Sequence, residues 1–198
     1  MKLLLIADEE DPYLWDHYRP GRLSGVDLIL SAGDLKSDYL SFLVTMANKP
    51  LLYVHGNHDT AYDKFPPEGC ECVDDRLVTV GGLRILGLGG SQRYKEGPYQ
   101  YSERQMAFRI LKLERKIRKA GGVDVVLTHA PLRGYGDLEN LVHRGFDAFR
   151  PLLDKWKPRY LVHGHVHLSY GAKQPRIQQY AETTLINACG KHYLEIEA

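Results

Sequence analysis

Apolar and polar positions fall into short blocks along this chain, and the blocks predict alternating strands and helices. Lys2–Ala7 is a continuous apolar run, the pattern of a strand covered on both faces, and it stops at Asp8. Residues 26–31 repeat the pattern and stop at Ala32-Gly33-Asp34. Across Ser37–Ala47, Leu40, Leu43, Val44 and Ala47 recur at helical spacing, Pro50 marks the stop, and a third apolar run follows. Strand, helix and strand make a β-α-β unit. Its last strand, residues 51–54, runs abruptly into His55-Gly56-Asn57-His58-Asp59, where Gly56 lets the backbone turn.

Arg76–Val80 and Leu83–Leu88, separated by Gly81-Gly82, predict a hairpin. The glycines that follow lack both the G-x-G-x-x-G spacing and a Gly-Lys-Ser/Thr sequence, so they are no phosphate loop. Residues 102–119 predict the clearest helix. Ser102 and Gln105 are placed as a capping box, and Met106, Ile110, Leu113 and Ile117 share one face. Arg109, Lys112, Arg115, Lys116, Arg118 and Lys119 read as the solvated side of that helix. Residues 123–128 predict a buried strand ending on His129, a helix is expected near 146–155, and residues 159–162 lead into His163-Gly164-His165-Val166-His167. Residues 176–180, 183–187 and 193–196 read as short antiparallel strands.

A length of 198 residues suits one well-buried domain, 1–198. A net charge of +1 gives no electrostatic preference for nucleic acid, which usually selects a basic excess. The opening run meets Asp8-Glu9-Glu10-Asp11 too soon for a leader, and no run approaches the ~18 apolar residues that span a bilayer, so a soluble, cytoplasmic protein without a membrane partner is expected. Cys70, Cys72 and Cys189 are odd in number and form no Cys-x-x-Cys pair; they read as reduced thiols, with metal binding at Cys70-x-Cys72 the lesser alternative for want of a second pair.

Candidate chemistry gathers where the runs end. Five strands stop on metal-binding residue types: Asp8, Asp34, Asn57 with His58, His129, and His165 with His167. Parallel strands of a shared sheet would bring these ends to one edge. His165 and His167, two apart, would project to one side of an extended chain. The mixed carboxylate, amide and imidazole set suits manganese, iron or zinc, and its size exceeds one tetrahedral site, pointing to a dinuclear centre. Arg93, Arg133, Arg144 and His143 read as surface loop residues, and His17, His55, His163 and His192 as turn, core or surface groups.

In order and spacing, Asp8-Glu9-Glu10, Gly33-Asp34, Gly56-Asn57-His58-Asp59, His129 and Gly164-His165-Val166-His167 resemble the successive motifs of the calcineurin-like metallophosphoesterase superfamily. The resemblance implies an α/β fold, a four-layer α/β/β/α sandwich of two mixed sheets flanked by helices. It implies a phosphoesterase cleaving a small phosphate mono- or diester with two divalent ions, Mn2+ foremost and Fe or Zn as alternatives, and a bridging hydroxide as nucleophile. Carried over by position, Asp8, Asp34 and His167 would hold one ion, and Asp34, Asn57, His129 and His165 the other. His58 would act on the leaving oxygen. The family's first motif usually ends in His, where this chain has Glu10, which is expected to replace that ligand and to favour harder ions. The rival readings are a nuclease of the same superfamily and a non-catalytic scaffold with an eroded first metal site.

Overall fold

The computed structural model describes residues 1–170 and 175–197; residues 171–174 and 198 of the expected single domain lie outside the described residues. In chain order the elements are β1 (Lys2–Ala7), β2 (Leu28–Ser31), α1 (Ser37–Ala47), β3 (Leu51–Tyr53), β4 (Glu71–Cys72), β5 (Arg76–Val80), β6 (Leu83–Leu88), β7 (Ser91–Gln92) and β8 (Gln100–Tyr101). There follow α2 (Glu103–Lys119), β9 (Val125–Thr128), α3 (Phe149–Trp156), β10 (Tyr160–His163), β11 (Ile177–Tyr180), β12 (Thr183–Asn187) and β13 (Gly190–Glu195). One sheet runs β13-β1-β2-β3-β4 and the other β11-β12-β10-β9-β6-β5, with β7 and β8 paired apart.

Alternation along the strands builds the layers, because successive side chains point to opposite faces. Leu3, Leu5, Leu28, Leu30 and Leu52 of the first sheet meet Ile85, Val125, Leu127, Val162 and Ile186 of the second in a core between the sheets. The opposite face of the first sheet, with Leu4, Ile6, Ile29 and Leu51, packs on Tyr39, Leu40 and Leu43 of α1. On the far side, Leu86, Val126, Leu161 and Leu185 bury against Met106, Ile110, Leu113 and Ile117 of α2 and Phe149, Leu152 and Leu153 of α3. The result is the expected sandwich of two mixed sheets between helices.

Several boundaries move for physical reasons. The second strand begins at Leu28 rather than residue 26, because Val26 closes a turn onto the Leu23 carbonyl and Asp27 pairs with Lys2 through backbone and side chain. The helix expected from 146 starts at Phe149. Phe146 first bridges to Leu132, and the Glu103 carboxylate from α2 accepts the Asp147 and Ala148 amides, capping α3 from another element. The three C-terminal strands divide: β11 pairs antiparallel with β12, β12 runs parallel to β10, and β13 crosses to the other sheet to pair antiparallel with β1. Arg109 also departs from the solvated face assigned to it. It is 9% exposed, with Nε on Asp75 at 2.8 Å, Nη1 on the Gly89 carbonyl at 2.7 Å and the guanidinium over the Tyr101 ring.

Candidate metal centre

The five strand ends do converge, but from two sheets rather than one. Asp8, Asp34 and Asn57 leave β1, β2 and β3, which are mutually parallel in the first sheet, whereas His129 and His165 follow the parallel β9 and β10 of the second. Hydrogen bonds stitch the two sheets together at this edge. The His165 amide donates to both Asp8 oxygens, at 2.9 and 3.0 Å, and His129 Nδ1 donates to the Ala32 carbonyl at 2.7 Å. Close approach depends on glycine: a Cβ on Gly56 would lie 2.0 Å from Asp34 Oδ1, and one on Gly164 2.7 Å from Asp8 Oδ2. Asp8, Asp34 and His165 all adopt positive φ, at 61°, 57° and 69°. Three non-glycine residues held in this sparsely populated region mark a site where surrounding bonds overrule local preference.

The hydrogen-bond pattern fixes which nitrogens face inward. A carbonyl oxygen only accepts, so the Ala32 carbonyl on His129 Nδ1 and the Val142 carbonyl on His165 Nε2, at 2.7 Å, require protons on those two atoms. His129 Nε2 is thereby turned toward Asn57 Oδ1 at 3.0 Å, His165 Nδ1 at 3.1 Å and Asp34 Oδ2 at 3.3 Å. Four donor atoms surround a point suited to one cation, and outer carbonyls that fix the ring tautomers are the usual support of metal-ligating histidines.

Electrostatics follow the same geometry. Burial opposes the charge on His129, yet the Asp34 carboxylate outweighs it and raises the imidazole to about 9. Burial and the His129 charge lower His165 to about 3, leaving its Nδ1 lone pair available. Burial also works against Asp34, but His129 and the His58 amide hold its carboxyl near 2. At Asp8 burial prevails over His129 and lifts the carboxyl to about 7. The Asp34 carboxylate and the His129 and His165 imidazoles, with ligand atoms within 4.8 Å of one another, are oxygen and nitrogen donors that a divalent cation accepts.

The remaining candidates lie around this nucleus. His58 is exposed, its amide donating to Asp34 Oδ1 at 2.8 Å, and it lines a cavity of about 600 Å³ with Asp8, Glu10, Asp34, Lys36 and Tyr62. Glu10 is on that wall, its carboxylate 3.1 Å from Lys36 Nζ. His167 does not share a face with His165. The left-handed backbone at His165 cancels the alternation of an extended chain, and His167 Nδ1 meets Glu9 Oε1 at 2.6 Å beside Cys189. Glu9 gains that place because Asp8 sits in a γ-turn, with the Glu9 amide bonded to the Ala7 carbonyl.

Sequence reasoning passed over several supporting residues. Asp59 is 4% exposed and accepts the Asp34 amide at 2.8 Å and the Gly56 amide at 2.7 Å, tying two ligand loops together; burial, reinforced by Asp34, raises its carboxyl to about 6. The Asn57 amide donates to the Tyr94 hydroxyl at 3.2 Å, orienting its oxygen inward. His143, assigned to the surface, places its ring 5.6 Å from that of His165. Asp59 closes the recognised run but was given no role there; Tyr94 lies in a loop and His143 ends a single 3-10 turn, neither with a periodic signal.

Residues 8–169 match the calcineurin-like phosphoesterase family. A UPF0046 protein of Caenorhabditis elegans is 28% identical over 123 residues, 59% of this chain and 28% of that protein. The lariat debranching enzyme of Schizosaccharomyces pombe is 25% identical over 173 residues, 68% of this chain and 37% of the enzyme. The chain thus spans well under half the length of either relative. The crystal structure of TT1561 of Thermus thermophilus superposes with a TM-score of 0.60 at 15% identity, covering 96% of this chain and 89% of that one, a likeness of fold. No helix among the described residues is long and apolar enough to cross a membrane.

Proposed function

The chain belongs to the calcineurin-like phosphoesterase family, and from that premise we propose that it is a metal-dependent hydrolase of phosphodiesters. The observation that carries this reading is the inward turn of His129 Nε2 and His165 Nδ1, with their outer nitrogens committed to carbonyls, toward Asp34 and Asn57. Asp34, Asn57, His129 and His165 would hold one ion. Asp8, Asp34 and His167 would hold a second, with Glu10 as the added carboxylate on the cavity wall. Oxygen and imidazole donors without thiolate in this set favour manganese.

When bound, such ions supply Lewis-acid charge to phosphoryl oxygens and activate water as a nucleophile. The chain's own residues do the rest. Asp59 and Tyr94 hold the ligand loop in register. His58, its amide pinned by Asp34, faces the cavity, where an imidazole N–H can pass its proton to the departing ester oxygen. Lys36 on the same wall offers a cation to the substrate phosphate. The relative named as a lariat debranching enzyme supports a diester over a monoester.

The test uses metal-stripped protein with paired chromogenic phosphate mono- and diesters, restoring manganese, iron, zinc or magnesium in turn. Diester turnover that needs a divalent ion and disappears in both Asp34→Asn and His58→Ala is expected. Stoichiometric metal binding without turnover of either ester would replace this reading with the non-catalytic scaffold. Metal content of Glu10→Ala and Glu9→Ala assigns the second ion: a loss in the Glu9 variant alone would transfer the role to the carboxylate that touches His167.

A further inference from the structure

A second group of ligand atoms lies beyond this centre, on the neighbouring edge of the first sheet. β3 and β4 are parallel, with Tyr53 opposite Cys72, so the residues just past Tyr53 and at the end of β4 come side by side. There His55 Nδ1 lies 2.7 Å from Asp74 Oδ2 and 3.7 Å from Cys72 Sγ. The three ligand atoms all fall within 4.8 Å of one another.

The cluster is built rather than incidental. Asp74 is fixed by its second oxygen, which accepts the Gly89 amide at 2.7 Å, and the ligand oxygen also takes the His55 amide at 3.3 Å. A Cβ at Gly89 would stand 2.4 Å from Asp74 Oδ1 and 2.6 Å from the His55 carbonyl, so glycine is what lets the segment after β6 close over the cluster. The His55 ring is stacked on Tyr99 at 4.3 Å and 6°, with Tyr53 and Tyr62 edge-on and tilted beside it, which fixes the plane in which its nitrogen lone pair points. Cys70 takes no part: its thiol turns to the Glu68 carbonyl at 3.6 Å.

We propose that His55, Cys72 and Asp74 form a separate site for a single zinc ion, with water as fourth ligand. One imidazole, one thiolate and one carboxylate are a donor set zinc accepts, and the thiolate excludes the hard ions that suit the oxygen-rich centre. The spacing agrees. Tetrahedral bonds of about 2.3 Å to sulfur and 2.0–2.1 Å to nitrogen put those two atoms ~3.6 Å apart. The His55 to Asp74 contact is shorter than a zinc site needs; metal entry exchanges that hydrogen bond for bonds to the His55 nitrogen and the Asp74 oxygen and replaces the Cys72 S–H with a bond to sulfur, releasing the shared proton and the thiol proton to solvent. Because His55 lies two residues before Asn57, zinc here would anchor the root of the ligand loop to β4.

The experiment uses the full chain carrying Cys70→Ser and Cys189→Ser, so that Cys72 is the only thiol, titrated with cobalt(II) as a spectroscopic zinc substitute. A thiolate-to-cobalt charge-transfer band saturating at one equivalent, bleached by zinc and retained when Asp34→Asn disables the other centre, is expected. Asp74→Asn removes a ligand and should weaken cobalt binding by at least about tenfold, since loss even of a residue that only orients a ligand costs about 10–100-fold. Absence of the band, or its persistence when Cys72→Ser is added, would overturn the proposal. Alkylation of Cys72 in the same double variant is independent of any mutation at the site. Zinc should slow it at least tenfold, reversibly with chelator, and an unchanged rate would also refute the assignment. Neither readout depends on phosphoester turnover, so failure here leaves the proposed activity standing, and the reverse.

Discussion

Gly56→Ala isolates how tightly the two halves of the candidate centre are fitted together. The new methyl would lie 2.0 Å from Asp34 Oδ1, 2.5 Å from Asp34 Cγ and 2.7 Å from the Asp34 amide nitrogen, against the 3.4 Å at which ordinary contact begins. The carboxylate would have to retreat about 1.4 Å, and since a backbone atom is among the neighbours, a side-chain rotation alone does not relieve the clash. That retreat breaks the bond from the His58 amide to Asp34 Oδ1, and a hydrogen bond to a charged group contributes about 1.5–3 kcal/mol. Overpacking adds about 1–3 kcal/mol, for an expected loss of about 2.5–6 kcal/mol. The assay is urea unfolding of metal-free protein, with Gly25→Ala as reference. Gly25 has φ +77° and nothing within 4 Å of an added Cβ, so it carries only the left-handed penalty of about 1–2 kcal/mol. If Gly56→Ala unfolded at the same urea concentration as Gly25→Ala, the contact argument would be refuted.

Three further outcomes are expected. Arg109→Met should destabilise by about 2–4 kcal/mol through loss of the Asp75 and Gly89 bonds, whereas exposed Arg115→Ala stays within about 0.5 kcal/mol; equal midpoints in urea would return Arg109 to the solvated face. Glu103→Ala removes the acceptor of the Asp147 and Ala148 amides and should cost about 1–2 kcal/mol, with amide exchange accelerating first at the start of α3; uniform acceleration along the chain would contradict the capping role. Burial depresses His163 from 6.5 to about 4, so the folded state takes up its proton later than the unfolded state. The stability this confers is whole above pH 6.5 and is lost as pH falls toward 4, amounting to about 2 kcal/mol by pH 5; the wild-type minus His163→Gln difference should show that slope, and a flat difference would disprove it.

The strands that carry the centre were legible because each is a compact apolar run ending on a polar residue, a signal that survives without knowledge of its neighbours. Their distribution between two sheets was not, since pairing of β13 with β1 and of β12 with β10 is decided by partners far away in sequence. Local counting also misjudged one position. It gave Arg109 to solvent because helical periodicity knows nothing of Asp75, a loop residue 34 positions earlier. The capping box at Ser102 and Gln105, which needs only four consecutive residues, is present with both bonds.

The stitching of Asp8 to His165 and of Ala32 to His129 also sets a timetable. These bonds span 157 and 97 residues, and β1 completes its sheet only when the last strand arrives. Closing such long loops comes late, after the local helices and the hairpin have formed. A ribosome extending this chain therefore exposes Asp8 and Asp34 long before their imidazole partners exist, and the nascent half lacks the donor set to retain a metal ion. Loading becomes a property of the finished molecule, and ion uptake during refolding would clock the docking of the two sheets.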